Sequence, residues 1–191
     1  MVKKRWSASR LVLLAAGVVV AALVISIPDD ERVDTASYQT PAAAARIASF
    51  AAPTLGGGQW RMDGRRGHVV LMNFWAYWCE PCRAETPLLA SLARQYRAAG
   101  LDVVGVSVDN SRMAQVRAYA RDFDVTYPIA LLPANSWLNA RVDTYPTTLL
   151  IDREGRVIDD FTGELSKSSI EAALRRDLAT QSPPAPNSGG A

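Results

Sequence analysis

Apolar residues along this chain fall into three patterns. Leu11 to Ile27 is an unbroken apolar or small run of about 17 residues, long enough to reach the lower limit of a bilayer span. Val69-Val70-Leu71-Met72-Asn73-Phe74-Trp75 and Leu101 to Val108 have strand length and no wet face. Such runs predict central strands covered on both sides. Between them, Pro81 to Ala99 carries helical spacing. At 100° per residue Leu88, Leu89, Leu92 and Tyr96 form one stripe, and Glu85 falls in the middle of it. Gly100 then ends the helix, and Pro87 inside it predicts a kink.

Shorter signals complete the order. Ala51–Leu55 and Gln59–Met62 flank Gly56-Gly57-Gly58, which predicts an edge hairpin. Asp109-Asn110-Ser111 offers N-cap chemistry for a helix from Met113 to about Phe123. Pro128–Leu131 reads as a short strand and Ser136–Arg141 as a short helix. Thr147–Ile151 and Val157–Thr162 read as strands joined by a turn at Asp152–Arg156, and a last amphipathic helix runs from Ser166 to about Thr180. The order β-α-β-α-β-β-α predicts an α/β domain with a central mixed sheet and helices on both faces.

The flanks set the domain boundaries. Residues 1–10 are basic, with Lys3, Lys4, Arg5 and Arg10. The exit Val24-Ile25-Ser26-Ile27-Pro28-Asp29-Asp30 lacks a small-x-small cleavage site, so 11–27 reads as a transmembrane anchor rather than a cleaved signal. The basic end stays in the cytoplasm, which puts the bulk of the chain on the extracytoplasmic side, at the periplasmic face of an inner membrane. Residues 28–49 read as a linker, 50–181 as the folded domain and 182–191 as a disordered tail. The net charge of +2 includes that basic terminus and leaves no basic stripe interleaved with aromatics, which argues against nucleic-acid binding.

The chemistry rests on Trp78-Cys79-Glu80-Pro81-Cys82, which holds both cysteines of the 191-residue chain. The pair lies on a strand-to-helix turn, where orphan N–H groups and the helix dipole stabilise a thiolate. A zinc site needs two more soft or imidazole ligands, and His68 is the single histidine, so no metal site is expected. Two-coordinate Cu(I) carriage competes with dithiol–disulfide exchange. A purely structural disulfide would close too small a loop to stabilise much. By position, Cys79 is the nucleophile and Cys82 the resolving thiol. Glu85, one turn beyond Cys82 on the buried stripe, is the candidate proton acceptor and donor. Trp78 either shields the pair and meets partners or packs in the core.

Asn73-Phe74-Trp75-Ala76-Tyr77-Trp78-Cys79-Glu80-Pro81-Cys82, with Pro87 beyond, resembles the thioredoxin superfamily motif. More narrowly it is similar to the membrane-anchored branch of TlpA-like and cytochrome c maturation reductases. The resemblance implies a thioredoxin-like fold and a redox-active Cys79–Cys82 disulfide with no other cofactor. It makes Tyr145-Pro146-Thr147 the cis-proline loop, with Trp78, Glu80, Pro81, Tyr145 and Thr147 meeting the substrate. It implies protein disulfide clients, such as an apocytochrome c or a copper-site assembly protein, and a membrane dithiol as electron donor. Glu80-Pro81 resembles the reducing members, although an oxidant or isomerase remains the alternative direction. Asn73 stands where cytoplasmic thioredoxins carry a buried acid, which makes Glu85 the expected proton partner.

Overall fold

The structure is a computed structural model that describes residues 47–179. The expected anchor, basic flank, linker up to residue 46 and C-terminal tail lie outside the described residues. Among those described, no helix is long and apolar enough to cross a membrane.

Strands β1 (Ala51–Pro53) and β2 (Gln59–Arg61) form the expected antiparallel hairpin, with Ala52 opposite Trp60. Its turn uses Gly57 and Gly58 at φ of 91° and 80°, a backbone region open to glycine at no steric penalty. Strand β3 (Val69–Trp75) is buried along its whole length, as its apolar run predicts. It pairs in parallel with β4 (Leu101–Ser107) and antiparallel with β6 (Thr147–Ile151). Strand β5 (Ile129–Leu131) extends the parallel edge, and β7 (Val157–Thr162) extends the antiparallel one. The sheet order is β5-β4-β3-β6-β7.

Helices α1 (Glu80–Tyr96), α2 (Met113–Asp122) and α3 (Lys167–Ala179) provide most of one layer. Side chains alternate along β3, so Val69, Leu71, Asn73 and Trp75 share a face. Val69 and Leu71 pack with Leu89 and Leu92 of α1 and with Ile170 and Leu174 of α3. Trp75 packs with Val116 and Tyr119 of α2. All three long helices therefore cover the same face. The β-α-β-α-β-β-α order alone predicts helices over both. The physical reason is chirality: β3-α1-β4 and β4-α2-β5 both step toward the same sheet edge, and right-handed crossovers stepping one way stay on one side. On the opposite face Val70, Met72 and Phe74 pack against Ile47, Phe50, Trp60, Met62 and Leu138. These come from the segment before β1, the hairpin and a short 3-10 turn, Trp137–Ala140.

Helix α1 ends close to where its pattern predicted. A 3-10 turn over Arg97–Ala99 tightens the last turn, and Gly100 follows at φ 90° in the left-handed region. Helix α2 departs from expectation. Its N-cap position is Arg112, and no side chain caps it. Asp109 and Asn110 bond elsewhere: Asn110 donates its amide to the Leu132 carbonyl, and Asp109 turns toward the loop before Cys79.

Candidate active site

Cys79 is the N-cap of α1, in extended backbone at φ −80°, ψ 111°. Pro81 follows in the first turn, where its missing N–H sacrifices no helical bond. The Cys82 N–H donates to Cys79 Sγ at 3.3 Å. The two sulfurs form a disulfide with Cα atoms 5.3 Å apart. Cys79 retains 5% of its surface and Cys82 only 1%, so the accessible side of the bridge is the Cys79 side. An attacking partner would reach Cys79 first, with Cys82 behind it. Glu80 and Pro81 are exposed on the rim, and Glu80 lies 3.8 Å from Arg83 in a solvent-screened pair.

Trp78 is 60% exposed, the one large apolar side chain left in solvent among the described residues. It belongs to the surface, and the core alternative for it is excluded. Two contacts hold it there. Its indole N–H donates to Asp109 Oδ1 at 3.2 Å, and its ring meets Tyr145 edge-on with centroids 6.3 Å apart. Asp109 Oδ2 also accepts from the Tyr77 N–H at 3.1 Å, so one carboxylate ties β4's exit to the loop before Cys79. The Tyr145–Pro146 bond is cis. Tyr145 is half-buried and packs against the cluster that contains both cysteines. Pro146 is buried at the start of β6. Thr147 sits deeper than its assigned role implies. It is buried in the sheet between Phe74 and Thr162, and its hydroxyl donates to the Thr144 carbonyl at 2.8 Å. It anchors the proline loop from beneath.

Glu85 points inward as the helix wheel indicated, and only 2% of its surface is exposed. Its carboxylate accepts from Asn73 Nδ2 at 2.6 Å and from the Leu165 N–H at 2.8 Å. Asn73 Nδ2 also reaches Thr148 Oγ1 at 2.9 Å, its cross-strand partner on β6. Burial outweighs these two donors and raises the Glu85 pKa from 4.5 to about 7. A carboxyl poised there changes protonation state near neutral pH without leaving the interior. It can take a proton from a resolving thiol and return it.

Four participants escaped the sequence reading. Asp109 looked like a helix cap, because its use depends on a partner 31 positions away in the chain. Thr148 is visible only through strand register. Tyr119 and Thr86, which touch the Cys82 carbonyl, looked like ordinary positions of two amphipathic helices.

A profile of the Redoxin family matches residues 41–174, well over half of the chain. The chain belongs to the Redoxin family. Within it, the chain is 36% identical over 130 residues to the thioredoxin-like protein YneN of Bacillus subtilis, covering 67% of this chain and 76% of that protein. It is 36% identical over 126 residues to the thiol-disulfide oxidoreductase ResA of Geobacillus kaustophilus, covering 65% and 72%. A solved thiol:disulfide interchange protein of the thioredoxin family from Chlorobium tepidum is similar at 26% identity and a TM-score of 0.62, over 69% of this chain and 94% of that one. This Redoxin-family chain is thus a TlpA/ResA-like member of the thioredoxin superfamily and a thiol-disulfide oxidoreductase, in agreement with its motif.

Proposed function

We propose that this oxidoreductase is held at a membrane by residues 11–27, faces the extracytoplasmic side and reduces specific protein disulfides. The observation that carries the reading is Glu85, a buried carboxyl one turn from Cys82 with a pKa near neutrality. In the reduced protein the Cys79 thiolate attacks a client disulfide. A mixed disulfide forms, and the first client sulfur leaves as a thiolate that takes a proton from solvent. Cys82 then gives its proton to Glu85, and its thiolate attacks Cys79 Sγ. The second client sulfur leaves and is protonated, Glu85 loses its proton to solvent, and the client has gained two electrons.

Two further features support this reading. Exposed Glu80 beside Cys79 disfavours the thiolate, which leaves the reduced pair less stabilised and the couple more reducing. An oxidising compartment would then require a membrane dithiol to restore the thiols. The Trp78–Tyr145 edge beside the cis proline offers an extended client segment an apolar contact and open backbone groups. Cytochrome c maturation or metal-site assembly proteins fit as clients.

Trapping with Cys82→Ser tests the reading, since this variant attacks but cannot resolve. It should accumulate mixed disulfides with a small set of extracytoplasmic cysteine-pair proteins. The equilibrium potential of the parent should lie well below about −200 mV. A potential near about −120 mV, that of a strong oxidant, would reverse the direction of electron flow.

A further inference from the structure

Beneath the dithiol lies a polar contact that the exchange mechanism does not use. Tyr119 of α2 is 5% exposed. Its ring stacks on Trp75 with centroids 4.1 Å apart and tilts against Phe123 at 4.7 Å. Its hydroxyl reaches the Cys82 carbonyl at 3.0 Å. The Thr86 hydroxyl reaches the same carbonyl at 2.7 Å, and the two hydroxyls hydrogen-bond each other. The pair carries two hydrogens. When one bridges the hydroxyls, the other points at the Cys82 carbonyl, in either arrangement. Burial raises the Tyr119 pKa, so the phenol keeps its proton.

Packing alone does not account for this hydroxyl. A phenylalanine would stack on Trp75 equally well, and a buried hydroxyl is costly unless a partner satisfies it. The position of the carbonyl supplies the reason. Pro87 has no N–H, so the Arg83 carbonyl lacks its helical donor. The Cys82 rung is therefore the last regular one before a gap, and it carries the sulfur that must strike Cys79 when the bridge is open.

We propose that Tyr119 is a positioning residue for the resolving cysteine: with Thr86, its hydroxyl holds the Cys82 carbonyl so that Cys82 Sγ stays aimed at Cys79. The bonds are made with the Cys79–Cys82 bridge closed. In the open states they are fully made only when Cys82 takes that same position, so they favour closure, in which Cys82 must replace an external thiol on Cys79 within one molecule. The inference rests on dithiol exchange at this pair and holds for either direction of electron flow. A failure of the reductant reading leaves it intact.

Equilibration with a glutathione redox couple tests it. Glutathione forms a mixed disulfide with Cys79, and attack by Cys82 forms the Cys79–Cys82 bond and releases glutathione. The ratio of oxidised to mixed-disulfide protein, multiplied by the glutathione concentration, is the effective concentration of Cys82. Tyr119→Phe should lower it about fivefold, the loss expected for one hydrogen bond. Thr86→Val should lower it comparably, and Thr86→Ser should retain it. Glutathione adduct formation at Cys79, measured with Cys82→Ser also present, should not change with Tyr119→Phe. An effective concentration unchanged in Tyr119→Phe and Thr86→Val overturns the assignment. So does an equal change in adduct formation at Cys79, which would mark general loosening. If Tyr119→Phe fails to fold, as judged by its melting transition, Thr86→Val against Thr86→Ser decides.

Discussion

Replacing Glu85 by glutamine removes a titration from the interior and leaves its shape. The structure sets the size of the effect. Burial at 2% exposure raises the pKa from 4.5 to about 7, so ionising Glu85 in the fold costs about 3 kcal/mol more than in the unfolded chain. Here the folded pKa lies above the unfolded one. Between pH 4.5 and about 7 the unfolded chain has released the proton and the folded one retains it. Stability of the oxidised parent must then fall as pH rises through that window, by up to about 3 kcal/mol, and level off above it. In Glu85→Gln this contribution is absent. Other groups titrate alike in both proteins and cancel in the difference. The substituted amide offers one acceptor oxygen where the Glu85 carboxylate offered two, to Asn73 and to the Leu165 N–H. An amide flip of Asn73 toward Thr148 restores one pairing and keeps the fixed offset small. The assay is urea unfolding of both oxidised proteins from pH 4 to 8. The stability difference should move by about 3 kcal/mol toward the variant across the window. Parallel curves would refute the buried acid. In single-turnover exchange, the same variant should resolve mixed disulfides about a hundredfold slower near neutral pH, and the gap should close toward pH ~9 as the thiol ionises unaided.

Other perturbations address the surrounding framework. Asn73→Asp sets a second carboxyl against Glu85, where the Asn73 amide nitrogen now lies 2.6 Å from a Glu85 oxygen, so the pair should hold a shared proton to higher pH. The pH profile of resolution should shift upward by about one unit or more, which stopped-flow exchange would record. Gly105→Ala places a Cβ 2.8 Å from Trp75 Nε1 and 3.1 Å from Tyr127 Cε2, beneath the aromatic layer under the site. It should cost about 1–3 kcal/mol in urea unfolding. Asp109→Ala strands the Tyr77 N–H and releases the Trp78 indole. Expected are a loss of roughly 1–2 kcal/mol and a raised KM for protein disulfides, with little change in kcat.

The linear chain locates the chemistry and the main frame of this protein. A seven-residue apolar run without a wet face has strand length, and β3 is buried at every position. A cysteine pair at a strand-to-helix turn can only sit at a helix N-terminus, and Cys79 is the N-cap of α1. Glu85 was legible because helical periodicity is local: a residue in the middle of an apolar stripe has nowhere to point but inward. Tertiary structure decided what periodicity cannot carry. It chose which face of the sheet the long helices share, through crossover handedness. It turned Asp109 from a helix cap into the clamp of the Trp78 loop. It joined Asn73, Glu85, Thr148 and Leu165 from β3, α1, β6 and the segment before α3. Hydrogen bonds and desolvation depend on distance in space, and these partners stand up to 80 positions apart in the chain. For that reason the sequence names the acid, while its raised pKa and the hydroxyls on the Cys82 carbonyl exist only in the fold.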